Sequence, residues 1–505
     1  MPLRDIQFKI QNFLPPATLG AETAPPPPEA SSPITLRGIT VTVFSTFSPS
    51  LRWNLVILFG AGLCFWAGLA GLLPTLPLFI ETLGATGQQI GVVMASFAIG
   101  LLITRPWLAR LADERGRKLV LLIGMAAIAV APFLYLLASL LPPLAWVIPW
   151  GDRSVTINGL LALMMVFRAC HGISIAAFVV AYSALVVDIS PPAHRGELLG
   201  YMSLVNPVGM ALGPALGGYL LTWSNFLVAF LAMGLLGLLG LLCILQVKNL
   251  PLPGSQQSGV PSSRPITAST TASITASTTA SIPPSTAAST RSGKKPSNPL
   301  FWRLLWAPRI RTPALILLMV GLAFGTLSTF MPLFVREAGV DLNVGLIYTA
   351  SALASFAIRL LVGRASDRHG RGRFITISLL LYTLSMLMFW QAETPAMFLL
   401  AGLIQGGAAG TLIPMIAALM GDRSHPDERG KVFGLVMVGF DLGIAMAGPI
   451  FGSFADVLSY RGTFGLSGLM TLIALGIFVT ASSKDLGHSF RFALSHGRDV
   501  YAVEE

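Results

Sequence analysis

Charge is scarce in this chain of 505 residues, because Asp, Glu, Lys and Arg together supply only 11% of them. Apolar residues supply 54%, and the mean hydropathy is +0.73. A soluble chain of this length cannot bury so much apolar side chain, so lipid must cover part of it. The shortage of charge therefore excludes a soluble protein.

Cysteine is scarce too. Cys64, Cys170 and Cys243 all lie inside long apolar runs, so they cannot build an extracellular disulfide framework, and no Cys/His spacing fits zinc. A phosphate-binding Gly-x-x-x-x-Gly-Lys-Ser/Thr sequence is absent, which excludes ATP as the energy source, and no nucleophile–base arrangement indicates catalysis. We therefore expect no enzymatic activity, no metal and no cofactor.

Twelve apolar runs are long enough to cross a bilayer as helices. They are continuously apolar rather than alternating, which favours helices over a barrel. The sequence therefore predicts an all-α membrane protein with twelve transmembrane helices. The predicted spans lie near 54–80, 88–109, 119–141, 159–186, 198–221, 225–247, 313–335, 344–362, 374–391, 396–420, 432–455 and 462–482.

Two polar segments divide these spans into groups. Residues 1–50 include four consecutive prolines and show little hydrophobic periodicity, which predicts a disordered cytoplasmic tail. Residues 251–308 are rich in Ser, Thr, Ala and Pro, and such a segment cannot offset its ordering entropy, so we expect a flexible cytoplasmic linker. The remaining predicted regions are a six-helix bundle at 51–250, a second six-helix bundle at 309–483 and a cytoplasmic C-terminal tail at 484–505.

The net charge of +11 could indicate a nucleic-acid partner, but the cations follow the membrane topology instead. The loops on the side opposite the termini hold only three basic residues, Arg153, Arg336 and Arg461. The loops on the side of the termini hold Arg110, Arg115, Arg117, Lys118, Arg195, Arg364, Arg368, Arg371, Arg373, Arg423, Arg429 and Lys431. This positive-inside bias predicts a multi-pass protein of the cell membrane with both termini in the cytoplasm and no nucleic-acid partner.

A charged phrase occurs once in each half, at 105–118 and at 359–371, with Arg, Asp, Gly and Arg at the same internal spacing. Three further landmarks recur in the same order: Pro-Leu-Phe at 77–79 and 332–334, an Asp–Arg pair at 188 and 195 and at 422 and 429, and Gly-Pro at 213–214 and 448–449. Each pair has the same predicted orientation in the membrane, so the halves are parallel repeats, which is typical of transporters.

The repeated phrase lies where two spans reverse direction through a very tight turn, so Gly116 and Gly370 supply backbone freedom. Anchoring such a loop at the headgroups does not require a carboxylate. We therefore expect Asp113 and Asp367 to form a latch, bonded to a neighbouring helix start or to an arginine across the bundle interface; the alternative is a plain topogenic loop. The predicted gating residues are Arg105, Asp113, Gly116, Arg117, Arg359, Gly363, Asp367, Arg368, Gly370 and Arg371. Arg105 and Arg359 are expected at the inner ends of their spans, snorkelling or paired with those aspartates.

The phrase resembles the cytoplasmic loop signature of the major facilitator superfamily, Gly-x-Leu-Ala-Asp-Arg-x-Gly-Arg-Arg/Lys. In the first copy Ala109 stands where Gly is usual and Glu114 where Arg is usual, so its latch is expected to differ from the family pattern. The resemblance implies a twelve-helix secondary transporter, in which two bundles alternate access to a central site. The second copy matches at Gly363, Ser366, Asp367, Arg368, Gly370 and Arg371.

The fifth span carries a second signature, Gly-x-x-x-Gly-Pro-x-x-Gly-Gly, formed by Gly209, Gly213, Pro214, Gly217 and Gly218. Small residues at this spacing allow close helix contact, and the proline permits a bend. From the residues alone the motif could serve packing only. It resembles the motif of the drug/proton antiporter branch of the superfamily, which favours antiport over symport.

The fourth span carries Arg168 near the bilayer centre, where an arginine costs about 2.5–3.5 kcal/mol and should face a cavity or a partner. Arg168-x-x-His171-Gly172 resembles the family motif Arg-x-x-Gln-Gly, which implies a role for Arg168 in proton coupling. His171 replaces the usual Gln and either titrates or fills the Gln role as a neutral donor. The equivalent residue of the other half is Gln405.

The eleventh span carries Asp441 near mid-depth, and alignment on Gly-Pro makes Asn206 its partner in the first half. A carboxylate at this depth favours its protonated form and is a candidate proton carrier. The alternative is a structural hydrogen bond or ion pair, for which Arg168 is one candidate partner. The predicted substrate and proton pathway therefore consists of Arg168, His171, Asn206, Gln405 and Asp441.

These observations predict a secondary active transporter that exports a small organic molecule in exchange for protons. Two alternatives are a proton-linked uptake symporter for a sugar or organic acid, and a non-transporting membrane sensor on the same scaffold. The expected partners are a small-molecule substrate, protons and the lipid bilayer, and the chain is expected to act as a monomer.

Overall fold

The computed structural model describes residues 47–142, 145–150, 153–248, 306–425, 428–494, 497 and 499–503, and it describes no side chains at 145–150, 153–157, 363–365 and 367–369. Almost all of the predicted N-terminal tail and linker therefore lies outside the described residues. Those two predictions stay predictions.

The first half consists of helices that alternate in direction, with two of its spans broken into shorter pieces. Its helices are α1 (Pro49–Gly71), α2 (Leu76–Thr82), α3 (Gly87–Arg115), α4 (Arg117–Leu140), α5 (Gly159–Ile189), α6 (Arg195–Ser203), α7 (Val205–Trp223) and α8 (Phe226–Gln246). Prolines explain the breaks, since Pro74 and Pro77 lie at the α1–α2 junction and Pro207 lies just after the α6–α7 junction.

The second half repeats this order. Its helices are α9 (Pro308–Glu337), α10 (Gly345–His369), α11 (Arg371–Trp390), α12 (Pro395–Asp422), α13 (Arg429–Ala481) and α14 (Leu486–Ala493). In the described residues, eleven helical stretches are long and apolar enough to cross a membrane. The longest, α13, contains two predicted spans, because Ser459 interrupts it with a φ of 65°. The predicted all-α membrane fold is confirmed.

A β-hairpin that the sequence analysis did not predict joins α4 to α5. Strands β1 (Ala145–Trp150) and β2 (Arg153–Asn158) pair antiparallel, with Ala145 opposite Asn158 and Trp150 opposite Arg153. Both strands are rich in β-branched or aromatic residues, which fit a pleated backbone. We call the end of the molecule that carries this hairpin the hairpin face.

The opposite end, which we call the turn face, carries the two tight turns that the sequence predicted. Gly116 has a φ of 93° and Gly370 has a φ of 80°. Residues other than glycine rarely adopt these positive values. Each glycine joins two long helices with no further loop residues. At both turns the backbone therefore adopts a conformation that favours glycine, as the sequence predicted.

The two halves contact each other closely towards the hairpin face. A Cβ atom on Gly91 of α3 would lie 2.0 Å from the carbonyl oxygen of Gly448 on α13, and one on Gly345 of α10 would lie 1.9 Å from that of Pro214 on α7. Gly91 and Gly345 occupy equivalent positions in the two repeats, so the two contacts are related by the internal symmetry.

Ion pairs and hydrogen bonds add to this closure of the hairpin face. Glu81 at the end of α2 pairs with Arg336 at the end of α9. The backbone N–H of Gly87 donates to Asp456 at 3.0 Å. These contacts join the first half to the second at the end remote from the tight turns.

Candidate functional site

A cavity of about 230 Å³ lies between the two halves. Its walls include Arg168 and Asn206 from the first half, and Gln405 and Asp441 from the second. Four of the five residues predicted for the substrate and proton pathway therefore line one space. The fifth, His171, is fully buried behind Arg168.

Arg168 is held by an aromatic and imidazole cluster in the first half. Its Nη1 donates to His171 Nδ1 at 3.1 Å, and its guanidinium carbon lies 4.5 Å from the centre of the Phe97 ring. The hydroxyl of Tyr135 lies 2.9 Å from the same His171 nitrogen. Because a guanidinium can only donate, His171 Nδ1 must carry a lone pair, so this geometry requires a neutral imidazole protonated on Nε2.

Gln405 occupies the equivalent place in the second half. Its Nε2 donates to the hydroxyl of Tyr382 at 3.1 Å, and its Oε1 accepts from the hydroxyl of Ser351 at 2.5 Å. A buried tyrosine on the third span of each half thus contacts the polar residue of the fourth: Tyr135 with His171, and Tyr382 with Gln405. Ser351 stands at the repeat position of Phe97, so one half has a hydroxyl where the other has an aromatic face.

Two glycines place these clusters by allowing close helix approach. A Cβ on Gly172 would lie 2.1 Å from the carbonyl oxygen of Phe97, and one on Gly406 would lie 1.9 Å from that of Ser351. The glycine that follows the polar residue in each half therefore brings the second and fourth spans together at the level of the cavity.

Arg105 forms an ion pair with Asp441 that crosses from one half to the other. Arg105 Nη1 lies 3.0 Å from Asp441 Oδ2, and the exposed fractions of the two side chains are 18% and 3%. Helix α3 continues for ten residues beyond Arg105, or about 15 Å, to Arg115, and the position of Arg105 at the inner end of its span stays a prediction. Asp441 is paired with Arg105 rather than with Arg168.

Arg359 lines the cavity from the second half. Helix α10 continues for ten residues beyond it, to His369.

The predicted gating loops form ion pairs that repeat in the two halves. Arg117 pairs with Asp188 at 2.6 Å, and Arg371 pairs with Asp422 at 2.9 Å. Asp113 is exposed, and the side chains of Asp367 and Arg368 and the surroundings of Gly363 lie outside the described residues. The latch remains a prediction.

The glycines of the fifth-span motif all lie at close helix contacts. Cβ atoms on Gly213 and Gly217 of α7 would lie 2.3 Å and 2.1 Å from carbonyl oxygens of α1, and one on Gly209 would meet the Trp66 side chain. Gly218 faces the second half, where a Cβ would lie 2.0 Å from the side-chain oxygen of Asn343. The motif therefore contributes both to packing within the first half and to the interface between halves.

The chain matches the family model of the Major Facilitator Superfamily over residues 58–364 and 314–491. With its two helical halves around a shared cavity, it belongs to this superfamily of membrane transporters. The resemblance drawn from the loop signature is confirmed, and the chain is a multi-pass membrane protein.

Two bacterial proteins are among the relatives that are similar to the chain. The chain is 28% identical over 158 residues to the quinolone resistance protein NorA of Staphylococcus aureus. The matched region covers 31% of this chain and only 36% of NorA. The chain is 23% identical over 406 residues to the uncharacterized MFS-type transporter STM4428 of Salmonella typhimurium, covering 80% of this chain and 89% of the relative.

The solved structures share the fold alone. The nucleoside transporter NupG has a TM-score of 0.61 and 14% identity, covering 85% of this chain and 99% of its own. A bacterial homologue of the human lysosomal transporter Spinster, solved inward-facing and unoccupied, has a TM-score of 0.60 and 13% identity, covering 86% and 98%.

Proposed function

We propose that this protein is a secondary active carrier that exports a small organic molecule in exchange for protons. The turn face lies in the cytoplasm, as the positive-inside bias predicts, together with both termini. The observation that carries the proposal is the ion pair between Arg105 and Asp441, because it joins the two halves at the wall of the cavity they share.

Asp441 is the proton-binding group of this proposal. A proton on its carboxylate abolishes the charge that holds Arg105, so protonation of Asp441 and the Arg105–Asp441 ion pair exclude each other. A carboxylate that controls a contact between the two halves couples the proton to their relative movement. The ion pair then describes the deprotonated carrier.

The closed hairpin face supports an inward-facing state in which the cavity receives substrate from the cytoplasm. The halves meet there through the Glu81–Arg336 ion pair and the close approaches of Gly91 and Gly345. Alternating access requires these contacts to separate while the turn face closes. The loop ion pairs Arg117–Asp188 and Arg371–Asp422 belong to single halves, so they can move with them as rigid units.

Export rather than uptake is supported by two likenesses. The Gly209–Gly218 motif is complete and resembles that of drug/proton antiporters. The matched relative NorA is named for quinolone resistance, although the match spans only about a third of its length.

Inside-out vesicles with an acidic lumen test this proposal. An antiporter exchanges added substrate for luminal protons, so a panel that includes a quinolone should contain compounds that dissipate the pH gradient, and vesicles without the protein should not respond. An uptake symporter would instead acidify the lumen further or leave the gradient unchanged. A sensor on this scaffold would show no substrate-dependent proton flux and would tolerate R168Q/D441N, which removes transport from a carrier.

A further inference from the structure

We infer that α14 lies on the surface of the lipid bilayer at the turn face, with an apolar stripe in the acyl chains and two cations on anionic lipid headgroups. The stripe consists of Leu486, Phe490 and Leu494, and the cations are Lys484 and Arg491. This surface lies outside the cavity, and its role does not depend on the direction of transport.

Helix α14 exposes large apolar side chains along one side. The exposed fractions of Leu486, Phe490 and Leu494 are 65%, 53% and 43%. Residues four apart are neighbours on a helix surface, so the three side chains form one continuous stripe. An exposed apolar stripe of this kind marks a surface that meets another apolar phase.

The stripe is one of three faces around α14. Ser489, Phe492 and Ala493 are buried and form the face towards the protein. The third face is exposed and polar, and it includes His488 and Arg491. At 3.6 residues per turn, the stripe borders the buried face on one side and the polar face on the other. A helix that rests against a protein at the boundary of a membrane needs these three faces, one each for protein, acyl chains and water.

The packing of α14 places it at the ends of membrane-spanning helices. Only four residues separate it from α13, whose last turn carries Phe478, with its ring centre 6.0 Å from that of Phe492. A Cβ on Gly372 would lie 2.0 Å from the carbonyl oxygen of Phe492, and the hydroxyl of Thr376 donates to that of Ala493 at 2.9 Å. Gly372 and Thr376 belong to the first two turns of α11, so α14 lies at the level where α11 begins.

The part of α11 that holds α14 is followed directly by a lipid-facing surface. Ile377, Leu380 and Leu384 are 41%, 55% and 45% exposed, and their spacing puts them on one side of α11. Since α11 is long and apolar enough to cross a membrane, lipid covers this side. Helix α14 is therefore held beside a surface that lipid covers, which favours lipid over a protein partner as the occupant of its own stripe.

The unpaired charges beside the stripe are positive. Lys484 and Arg491 are exposed, and neither forms an ion pair with another residue that the structure describes. The carboxylate of Asp485 is engaged as the N-cap of α14, where it accepts from the backbone N–H of His488 at 2.8 Å. Long basic side chains can lay their stems along an apolar surface and extend their charge to the headgroups, where anionic lipids attract them.

A fluorescent amino acid placed by codon suppression at position 490 of the full-length protein in vesicles tests the location of the stripe. Position 488, on the polar face, is the matched control, and position 486 repeats the measurement one turn earlier. We expect lipids brominated in their acyl chains to quench the probe at 490 at least twofold more than the probe at 488, and aqueous iodide to give the opposite order.

Two results would overturn this location. Stronger quenching at 490 by iodide than by brominated lipid would show that the stripe faces water. Protection of positions 486 and 490 from both quenchers would show that a second copy of the chain covers it. Positions 486, 488 and 490 are all exposed, so the melting temperatures of the labelled proteins should equal that of the unaltered protein.

A second comparison tests the headgroups. The probe at 490 is quenched either by brominated phosphatidylglycerol diluted in phosphatidylcholine or by brominated phosphatidylcholine diluted in phosphatidylglycerol, at equal bromine content. We expect the anionic lipid to quench at least twofold more, K484Q/R491Q to lose this preference and R461Q on the hairpin face to keep it. Equal quenching in the unaltered protein, or an undiminished preference in K484Q/R491Q, would contradict the assignment of these two cations to anionic headgroups. Neither comparison uses a transport assay, so the carrier function is tested separately.

Discussion

Arg105 on α3 donates to Asp441 on α13 at 3.0 Å, and this ion pair links the two halves of the chain at the wall of their shared cavity. Both residues lie in helices that are long and apolar enough to cross a membrane. In the proposed mechanism, protonation of Asp441 controls this contact between the two halves. The proposed proton coupling then requires no further titrating group.

The two residues should be energetically coupled. R105Q leaves Asp441 buried without this counter-charge, and D441N removes the carboxylate that pairs with Arg105, so each should lower the free energy of unfolding by about 3–5 kcal/mol. The double variant R105Q/D441N should lose less than the sum, with a coupling energy of about 0.5–3 kcal/mol. Denaturant unfolding of the four proteins in detergent measures this, and strict additivity would show that the pair contributes nothing.

Gly406 should be intolerant of a side chain, whereas its neighbour should not. A Cβ on Gly406 would lie 1.9 Å from the carbonyl oxygen of Ser351, but one on Gly407 would meet nothing within 4 Å. We expect G406A to destabilise the protein by about 1–3 kcal/mol through overpacking. G407A is the matched control and should keep the melting temperature of the unaltered protein. Equal melting temperatures for the two variants would contradict the close approach of α10 and α12.

His171 should be replaceable by glutamine. The amide oxygen of Gln has two lone pairs, so it can accept from both Arg168 and Tyr135, which here both lie within hydrogen-bond distance of the single lone pair on His171 Nδ1. H171Q should therefore keep transport within about twofold and leave its pH profile unchanged, whereas H171L should lose most of the activity. A shift of the pH profile in H171Q would place His171 in the proton path.

Arg423 should be the most stability-sensitive arginine on the turn face. It is 1% exposed, forms two bonds to Asp499 at 2.6 Å and 3.0 Å, and donates to the carbonyl oxygens of Ser482 and Arg309. R423Q should cost about 3–5 kcal/mol, because it leaves Asp499 without its counter-charge. The exposed Arg311 offers a control, and R311Q should unfold like the unaltered protein. A similar cost for both variants would show that burial of Arg423 is not the cause.

The sequence revealed the depth of each polar residue along its helix, but not the neighbour it faces. Continuous apolar runs were enough to predict the helical fold and the broad positions of Arg168, Asn206, Gln405 and Asp441, because length in residues converts directly into depth. The partners Tyr135, Tyr382 and Ser351 were missed, since single hydroxyls inside apolar helices carry no distinctive spacing.

At the turn face, too, the sequence predicted only features that have a local sequence pattern. The tight turns at Gly116 and Gly370 could be predicted because the chain must reverse direction there between two long helices. The pairing of Arg423 with Asp499 could not be foreseen, because it joins the end of α12 to the last few residues of the chain, and no periodicity links them. Contacts that are distant in sequence require the packed structure.

The most direct test of the account compares D441N with D341N, a matched change of an exposed aspartate between α9 and α10, in proteoliposomes. Each variant is assayed for substrate exchange without a proton gradient and for accumulation driven by one. We expect D341N to perform both and D441N to retain exchange while losing at least 90% of proton-driven accumulation and its dependence on pH. Proton-driven accumulation by D441N at the rate of D341N would contradict the assignment of Asp441 as the coupling residue.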